Sequence, residues 1–351
     1  SSAKKKIRNK LLSHLRNPLI YKIYKDFDHL VKSNLNKSNF SVAISGGTDS
    51  LALAFLSKSY SILNNIRVNF YHVDHKLRKE SSIEAKKLKF LLKKFNINCK
   101  ILKWNGKKPK TNIQAIARSK RYNLIINECK KKKINFIFVA HHLDDLYENF
   151  LLRLTRGSGL KGLASFNEVR TNYNDKLKIL RPLIGFKKDK LVYVTNKIFN
   201  FSIEDSSNKN INFKRIRIRN LIKNLRSEGF SLEKFKITVD NLRDSNFTIN
   251  YYVDLNIKNN SKYFNDRKYY ILSKDFFNQP HEIVFRSIII LFKKIGNRYY
   301  PPRGKSVVEL LSKIHSNQIK KINISGCILE KINNSFIIYK EKWKKDIFAT
   351  I

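Results

Sequence analysis

The run Phe40-Ser-Val-Ala-Ile-Ser-Gly-Gly-Thr-Asp-Ser-Leu-Ala-Leu-Ala-Phe55 changes period in its middle. Phe40 to Ile44 is a short apolar run suited to a buried strand, whereas from Asp49 to Ser59 the apolar residues recur at helical spacing. Between the two lies Ser45-Gly-Gly-Thr-Asp-Ser50. Its glycines permit a tight turn and close backbone approach. The N–H groups at the helix start and the hydroxyls of Ser45, Thr48 and Ser50 can then surround an anion, phosphate above all. The Walker pattern GxxxxGK[ST] and the dinucleotide pattern GxGxxG are both absent. Without a ligand the same hexapeptide would read as a glycine turn with a Ser/Asp helix cap.

The alternation continues outward from this run. Val68 to Val73, Lys100 to Trp104 and Asn135 to Ala140 read as strands, with helices expected over 82–95 and 112–130 and near Asp144. Strands alternating with helices predict an α/β fold with a doubly wound parallel sheet, whose ligands sit at the carboxyl ends of the strands. The alternation is expected to stop after Phe186. A smaller α+β domain is expected at the C-terminus, ending in a hairpin of Lys321 to Leu329 and Ser335 to Tyr339 about Asn333-Asn334. The expected divisions are a basic helical segment 1–38, a catalytic domain 39–225 and a substrate-binding domain 226–351. An organelle-targeting reading of 1–38 is weakened by its lack of Arg bias and by Asp26 and Asp28.

The 351 residues carry 72 Lys+Arg against 27 Asp+Glu, a net charge of +45. Such a surface predicts a polyanionic partner, with nucleic acid the natural one through counterion release. Residues 41–225 hold 39 basic and 13 acidic groups and residues 226–351 hold 23 and 12, so the partner is expected to touch the sheet domain. Heavy use of Lys, Asn and Ile throughout is the compositional alternative. Hydrophobic residues at 42% argue against a disordered chain. The longest apolar run, Ile283 to Phe292, is too short to span a membrane and contains Arg286. Cys99, Cys129 and Cys327 form no CxxC pair, which argues against a disulfide scaffold or zinc ribbon and for a reducing compartment.

Further chemistry falls at the other strand ends. His72-Val-Asp-His-Lys-Leu-Arg78 closes the second strand, and His72 and Asp74 are candidate nucleotide contacts beside the glycine loop. In Asn112 to Tyr122, Gln114, Arg118, Arg121 and Tyr122 are helical neighbours suited to phosphate clamping. His141-His-Leu-Asp-Asp-Leu-Tyr-Glu148 follows the fourth strand. Asp145 and Glu148, three apart on a helix, can point at one site and hold Mg²⁺ or a cationic amine. Zinc is disfavoured there, because HExxH spacing and a nearby thiolate are lacking. Arg153 and Arg156 lie among Gly157, Gly159 and Gly162, a combination suited to phosphate. Arg215, Arg217 and Arg219 alternate at period two, on one face of a strand or scattered around a helix, as an RNA-backbone patch.

The hexapeptide Ser45–Ser50 matches the SGGxDS loop of the N-type ATP pyrophosphatases, the PP-loop superfamily. The order SGGTDS, HVDHKLR, NIQAIARSKRY, HHLDDLYENFLLRLTRGSGLKGL, Arg181-Pro-Leu183 and EDSSN…FKRIRIR resembles the tRNA(Ile)-lysidine synthase family from about residue 40 to near the C-terminus. Ile216 departs from that family's pattern, which has Asn there. The resemblance implies an adenine nucleotide alpha hydrolase-like sheet and ATP with Mg²⁺ as cofactors. It also implies tRNA(Ile) with a CAU anticodon and free lysine as partners. A homodimer, no membrane, and a cytoplasmic location or alternatively an organelle matrix or stroma are further expectations. Ser45, Gly46, Gly47, Thr48, Asp49, Ser50, His72 and Asp74 would bind ATP, Asp49 also meeting the metal. Asp49, His142, Asp145 and Glu148 would be catalytic. Arg118, Arg121, Arg153, Arg156, Arg215, Arg217 and Arg219 would meet phosphates or RNA. Two rivals remain: a sulfur-inserting relative, which needs catalytic or cluster-binding cysteines, and a non-catalytic basic RNA-binding protein, for which SGGTDS and Asp145/Glu148 have no use.

Overall fold

The computed structural model describes residues 2–76, 80–106, 113–164, 170–174, 177–203, 214–296 and 301–341. The chain divides into two compact units, 1–240 and 241–351.

In the first unit the strands are β1 (Phe40–Ile44), β2 (Val68–Asp74), β3 (Cys99–Lys103), β4 (Phe136–Phe138), β5 (Arg170–Asn174) and β6 (Leu177–Leu180). They form one sheet in the order β3-β2-β1-β4-β6-β5. Every pairing is parallel except β5 with β6, an antiparallel edge. The helices are α1 (Ser2–Ser13), α2 (Pro18–Leu35), α3 (Thr48–Leu63), α4 (Ser81–Lys94), α5 (Ile113–Lys131), α6 (Leu143–Leu154), α7 (Leu160–Ala164), α8 (Lys188–Ile198) and α9 (Lys214–Ser227). From β1 the chain steps outward to β2 and β3, then crosses back to β4 and on to β6. The sheet is therefore doubly wound, and its switch point lies between the carboxyl ends of β1 and β4.

One expectation needs correction and one open alternative is decided. After β6, which pairs parallel with β4, the chain adds α8, burying Leu191, Val194, Thr195 and Ile198 at helical spacing, and no described strand of this sheet follows Phe186. Of the strand and helix alternatives for Lys214 to Arg219 the helix holds, because Ile218 and Ile222 bury one face of α9 against α6. Lys321 to Leu329 is two strands, β9 (Lys321–Ile324) and β10 (Cys327–Ile332). Ser325 and Gly326, at φ 55° and 76°, reverse the chain between them in the manner of a primed hairpin turn.

Segment 1–38 is built into the first unit. Pro18 starts α2 instead of breaking it, and Asn17 accepts the Ile20 N–H at 3.1 Å as its cap. Ile20, Ile23, Phe27, Val31 and Leu35 of α2 join Val42, Leu53 and Phe138 in one core. Residues 226–240 also fall in the first unit. The start of α10 (Leu232–Asn260) packs Leu232, Phe235 and Val239 on α6 and α9.

The second unit holds the antiparallel sheet β7-β8-β11-β10-β9, with β7 (Ser261–Phe264), β8 (Tyr269–Leu272) and β11 (Ser335–Lys340). Packed on it are α12 (His281–Gly296) and α13 (Gly304–His315), with the short α11 (Lys274–Phe277) beside them. Arg286 in α12 is 3% exposed and donates to Glu282, Asn246 and Asn250. Among the described residues no helix is long and apolar enough to cross a membrane. Residues 204–213, with the EDSSN block, and Leu77 and Arg78 lie outside the described residues.

Phe27 is wholly buried between α2 and the sheet. Phe27→Ala should cost ~3–5 kcal/mol of unfolding free energy, read as a lower urea midpoint of the first transition.

Candidate active site

The loop between β1 and α3 is held open by its own side chains. The Ser50 hydroxyl accepts the N–H groups of Ser45 (3.2 Å) and Gly46 (3.0 Å) and donates to the Gly47 carbonyl (2.9 Å). Gly46 sits at φ +98°, where an L side chain is strained, and a Cβ there would stand 2.5 Å from Ile203 Cδ1. Ile203 also donates its N–H to the Gly46 carbonyl at 3.0 Å. Thr195 of α8 fixes the start of α3 by donating to the Thr48 carbonyl at 2.7 Å. Gly47 is the α3 cap and brings no side-chain hydrogen bond to the first-turn N–H groups. That leaves donors and the positive helix end at the carboxyl edge of the sheet.

A carboxylate cluster faces this loop from the end of β4. His142 Nε2 lies 3.5 Å from Asp49 Oδ2 and 3.6 Å from Asp145 Oδ2, and its Nδ1 lies 3.6 Å from Asp144 Oδ2. Burial opposes a charge on His142, but Asp144, Asp49 and Asp145 outweigh it and push its pKa up to about 10. Burial likewise raises the Asp144 carboxyl, yet His142⁺ with the Lys188 N–H and Arg226 brings it down to about 2. Asp49 is also lowered against its burial, by His142 and the Lys188 charge. Asp145 accepts the His142 N–H at 3.1 Å, capping α6. Asp144 caps a different helix, accepting the Lys188 N–H at 3.0 Å, and binds Arg226 at 3.0 Å. The imidazole is 4% exposed while the three carboxylates are 22–28% exposed, so the acids and not the ring are open to a ligand.

Glu148 does not share that opening. Its side chain is 8% exposed and pairs with Arg219 of α9. Arg219 stays near the cluster all the same: burial opposes its charge, but Glu148, Asp145 and Asp49 hold it on. On a helix the three alternating arginines separate. Arg215 and Arg219, four apart, share a face, and Arg217 lies about 200° around the axis from Arg215.

Cations surround the neighbouring strand end. Burial, then the charges of Arg118, Arg181 and Arg215, push the His141 pKa down to about 3, so it is neutral. Arg121 Nε lies 3.3 Å from His75 Nε2, and Arg118 stacks over Tyr122 at 5.5 Å. Arg153 donates to the Gly162 carbonyl, closing the glycine-rich turn after α6. Arg156 lies exposed on that turn. His72 and Asp74 brace the walls. His72 Nδ1 bonds the Ile44 carbonyl at 2.9 Å, tying β2 to β1. Asp74 accepts the Lys76 N–H and the Ser81 and Ser82 hydroxyls at 2.6–2.9 Å. Sequence reasoning missed Lys188, Thr195, Ile203 and Arg226. Only the helical spacing of Leu191, Val194 and Ile198 could have signalled α8.

The family model of the PP-loop domain matches residues 19–225. A tRNA(Ile)-lysidine synthase of Wolbachia sp. subsp. Brugia malayi is 31% identical over 86% of this chain and 70% of its own length. One of Rickettsia akari is 30% identical over 92% and 75%. The chain belongs to the tRNA(Ile)-lysidine synthase family. It is thus an ATP-using ligase of the PP-loop fold. The U34-tRNA thiolase NcsA from Methanococcus maripaludis, described with a [4Fe-4S] cluster, aligns at TM-score 0.52 and 17% identity, over 64% of this chain and 80% of its own, which shows the fold alone. The cysteines here are dispersed and buried, and burial pushes the Cys99 thiol up to about 12. Such thiols are poor nucleophiles and metal ligands.

Two outcomes follow. Gly46→Ala should weaken ATP binding at least tenfold, and adding Ile203→Ala should restore only part, since the clash is relieved and the positive φ is not; fluorescent-nucleotide titration reads both. Because its folded pKa is raised, His142 stabilises fully below about pH 6.5 and loses this as pH rises toward about 10. The stability deficit of His142→Asn, from urea melts with chelator and without nucleotide, should therefore shrink from pH 6.5 to 10.

Proposed function

We propose that this protein joins lysine to C2 of the wobble cytidine of tRNA(Ile) bearing a CAU anticodon, forming lysidine and converting ATP to AMP and pyrophosphate. The observation that carries the reading is the meeting, at one switch point, of an anion-cradling loop and a carboxylate cluster, in a chain of the lysidine synthase family.

The steps follow from charge. The cytidine C2 oxygen attacks the α-phosphorus of ATP and pyrophosphate leaves; the lysine amine then attacks C2, AMP departs, and the amine loses its proton. Ser45 to Ser50 hold the phosphates through backbone N–H groups, with Ser50 keeping the loop in shape. The donor set at Asp49 suits Mg²⁺, which is commonly held by one or two carboxylates together with substrate phosphates. Asp49, with Asp145, would hold it, and it would supply charge neutralisation for the leaving pyrophosphate. Asp145 also faces the cationic amine of lysine. His142, buried beneath the acids, is a positioning residue, and Glu148 positions Arg219. Arg118, Arg181 and Arg215 gather about His141 and suit RNA or nucleotide phosphate, with Arg121, Arg153, Arg156 and Arg217 extending the basic surface. Alignment and neutralisation are the protein's contribution.

Incubation with ATP, Mg²⁺, radiolabelled lysine and transcripts carrying CAU or GAU anticodons tests this. Label should enter only the CAU transcript, and Asp49→Ala should lower the rate at least 100-fold. Label in both transcripts, or in neither while ATP is cleaved, would remove the proposed substrate and keep the PP-loop chemistry.

A further inference from the structure

A cavity of about 860 Å³ opens at the amino ends of β1, β2 and β4, the edge of the sheet away from the candidate active site. Asn39, Arg67 to Asn69 and Ile134 bring those strand ends to it, and Arg8 of α1, Lys58 of α3 and Lys132 beyond α5 complete its charged wall. Among the described residues no Asp or Glu lines it. The two ends of seven-residue β2 are ~20 Å apart at about 3.3 Å per residue, more than two Debye lengths in physiological salt. The cavity therefore lies at the opposite edge of the sheet from the PP-loop.

Two of the lining amides have their carbonyl oxygen engaged. Asn69 Oδ1 is taken by the Lys132 ammonium at 2.6 Å, and Asn39 Oδ1 by the Arg67 N–H at 3.1 Å. Both amides therefore have N–H groups left to offer. Ser61 donates to the Ile66 carbonyl at 2.6 Å. Lys58 is half-buried, and burial followed by the Arg8 charge lowers its pKa, so its charged neighbour repels it. The acids on nearby elements are already paired: Glu128 of α5 with Lys100 and Lys131, Asp28 of α2 with Lys32. Four cations thus line one concavity, Lys58 half-buried beside Arg8 and the other three exposed, and the Lys58–Arg8 repulsion costs the empty protein stability.

We propose that this cavity is a second anion site, which takes a chain of phosphates through Arg8, Lys58, Arg67 and Lys132. A single phosphate would leave most of 860 Å³ empty, whereas linked phosphates fill it and engage all four cations. Those phosphates come from an RNA backbone or from a free polyphosphate. The site does not depend on the reaction at the other edge of the sheet.

Calorimetric titration of the full chain with sodium tripolyphosphate should show one more site per chain than in Lys58→Gln/Arg67→Gln. Titration with a short RNA duplex should show the variant's logarithmic salt slope reduced by about 1–2, since each phosphate contact contributes ~0.9. ATP binding should be unchanged in the variant, showing an intact PP-loop. A reduced RNA slope with an unchanged tripolyphosphate count supports an RNA-backbone source. A lost tripolyphosphate site with an unchanged RNA slope supports a free polyphosphate, and loss of both supports a site open to either. No change in either titration overturns the proposal. As a check on folding, Lys58→Glu places an acid beside Arg8 and should raise the melting temperature while abolishing the same phosphate binding. A melting temperature raised with phosphate binding intact also overturns it.

Discussion

One imidazole lies within ion-pairing distance of three carboxylates carried by two helices. Without a positive charge there, Asp49 at the start of α3 and Asp144 and Asp145 at the start of α6 would repel across a narrow crevice. With it, the first turns of both helices are drawn to the carboxyl ends of β1 and β4, where acidic groups are also favoured by the helix dipoles. Asp144 passes the constraint on through the α8 N–H and Arg226, and Glu148 through Arg219. Four helices are thus registered around the phosphate loop by a handful of charges.

The same network sets a local acidic centre within a +45 chain, as the proposed joining of a nucleic acid and an amine would require. The basic surface draws in nucleic acid over long range. At the centre lies a local nest of acids, half-shielded and shared with one buried histidine, which on the proposed function would meet a lysine ammonium or a metal ion. Neutral His141 and the arginines around it lie directly beside charged His142, so adjacent residues in the chain mark the boundary between the basic and the acidic sides of the crevice.

Much of this was legible because chemistry is concentrated at strand ends. The glycine loop, the HHLDD run and the parallel alternation each announce themselves in a few consecutive residues. What stayed hidden is made by tertiary contact. Thr195 reaches Thr48 from 147 positions away, and Ile203 closes on Gly46 from beyond α8. Neither residue type carries a signal by itself. For Lys214 to Arg219 a two-residue charge rhythm competed with the helical spacing of Ile218, Ile222 and Leu225, and burial of the isoleucines decided it. Residue identity named Glu148, but only geometry revealed that its charge is spent on Arg219.

The central claim is that the loop and the acid cluster activate the nucleic acid and not the amino acid. Exchange of radiolabelled pyrophosphate into ATP tests it most directly. The account predicts exchange with the CAU transcript and Mg²⁺ in the absence of lysine. Exchange that requires lysine and proceeds without any tRNA would contradict it.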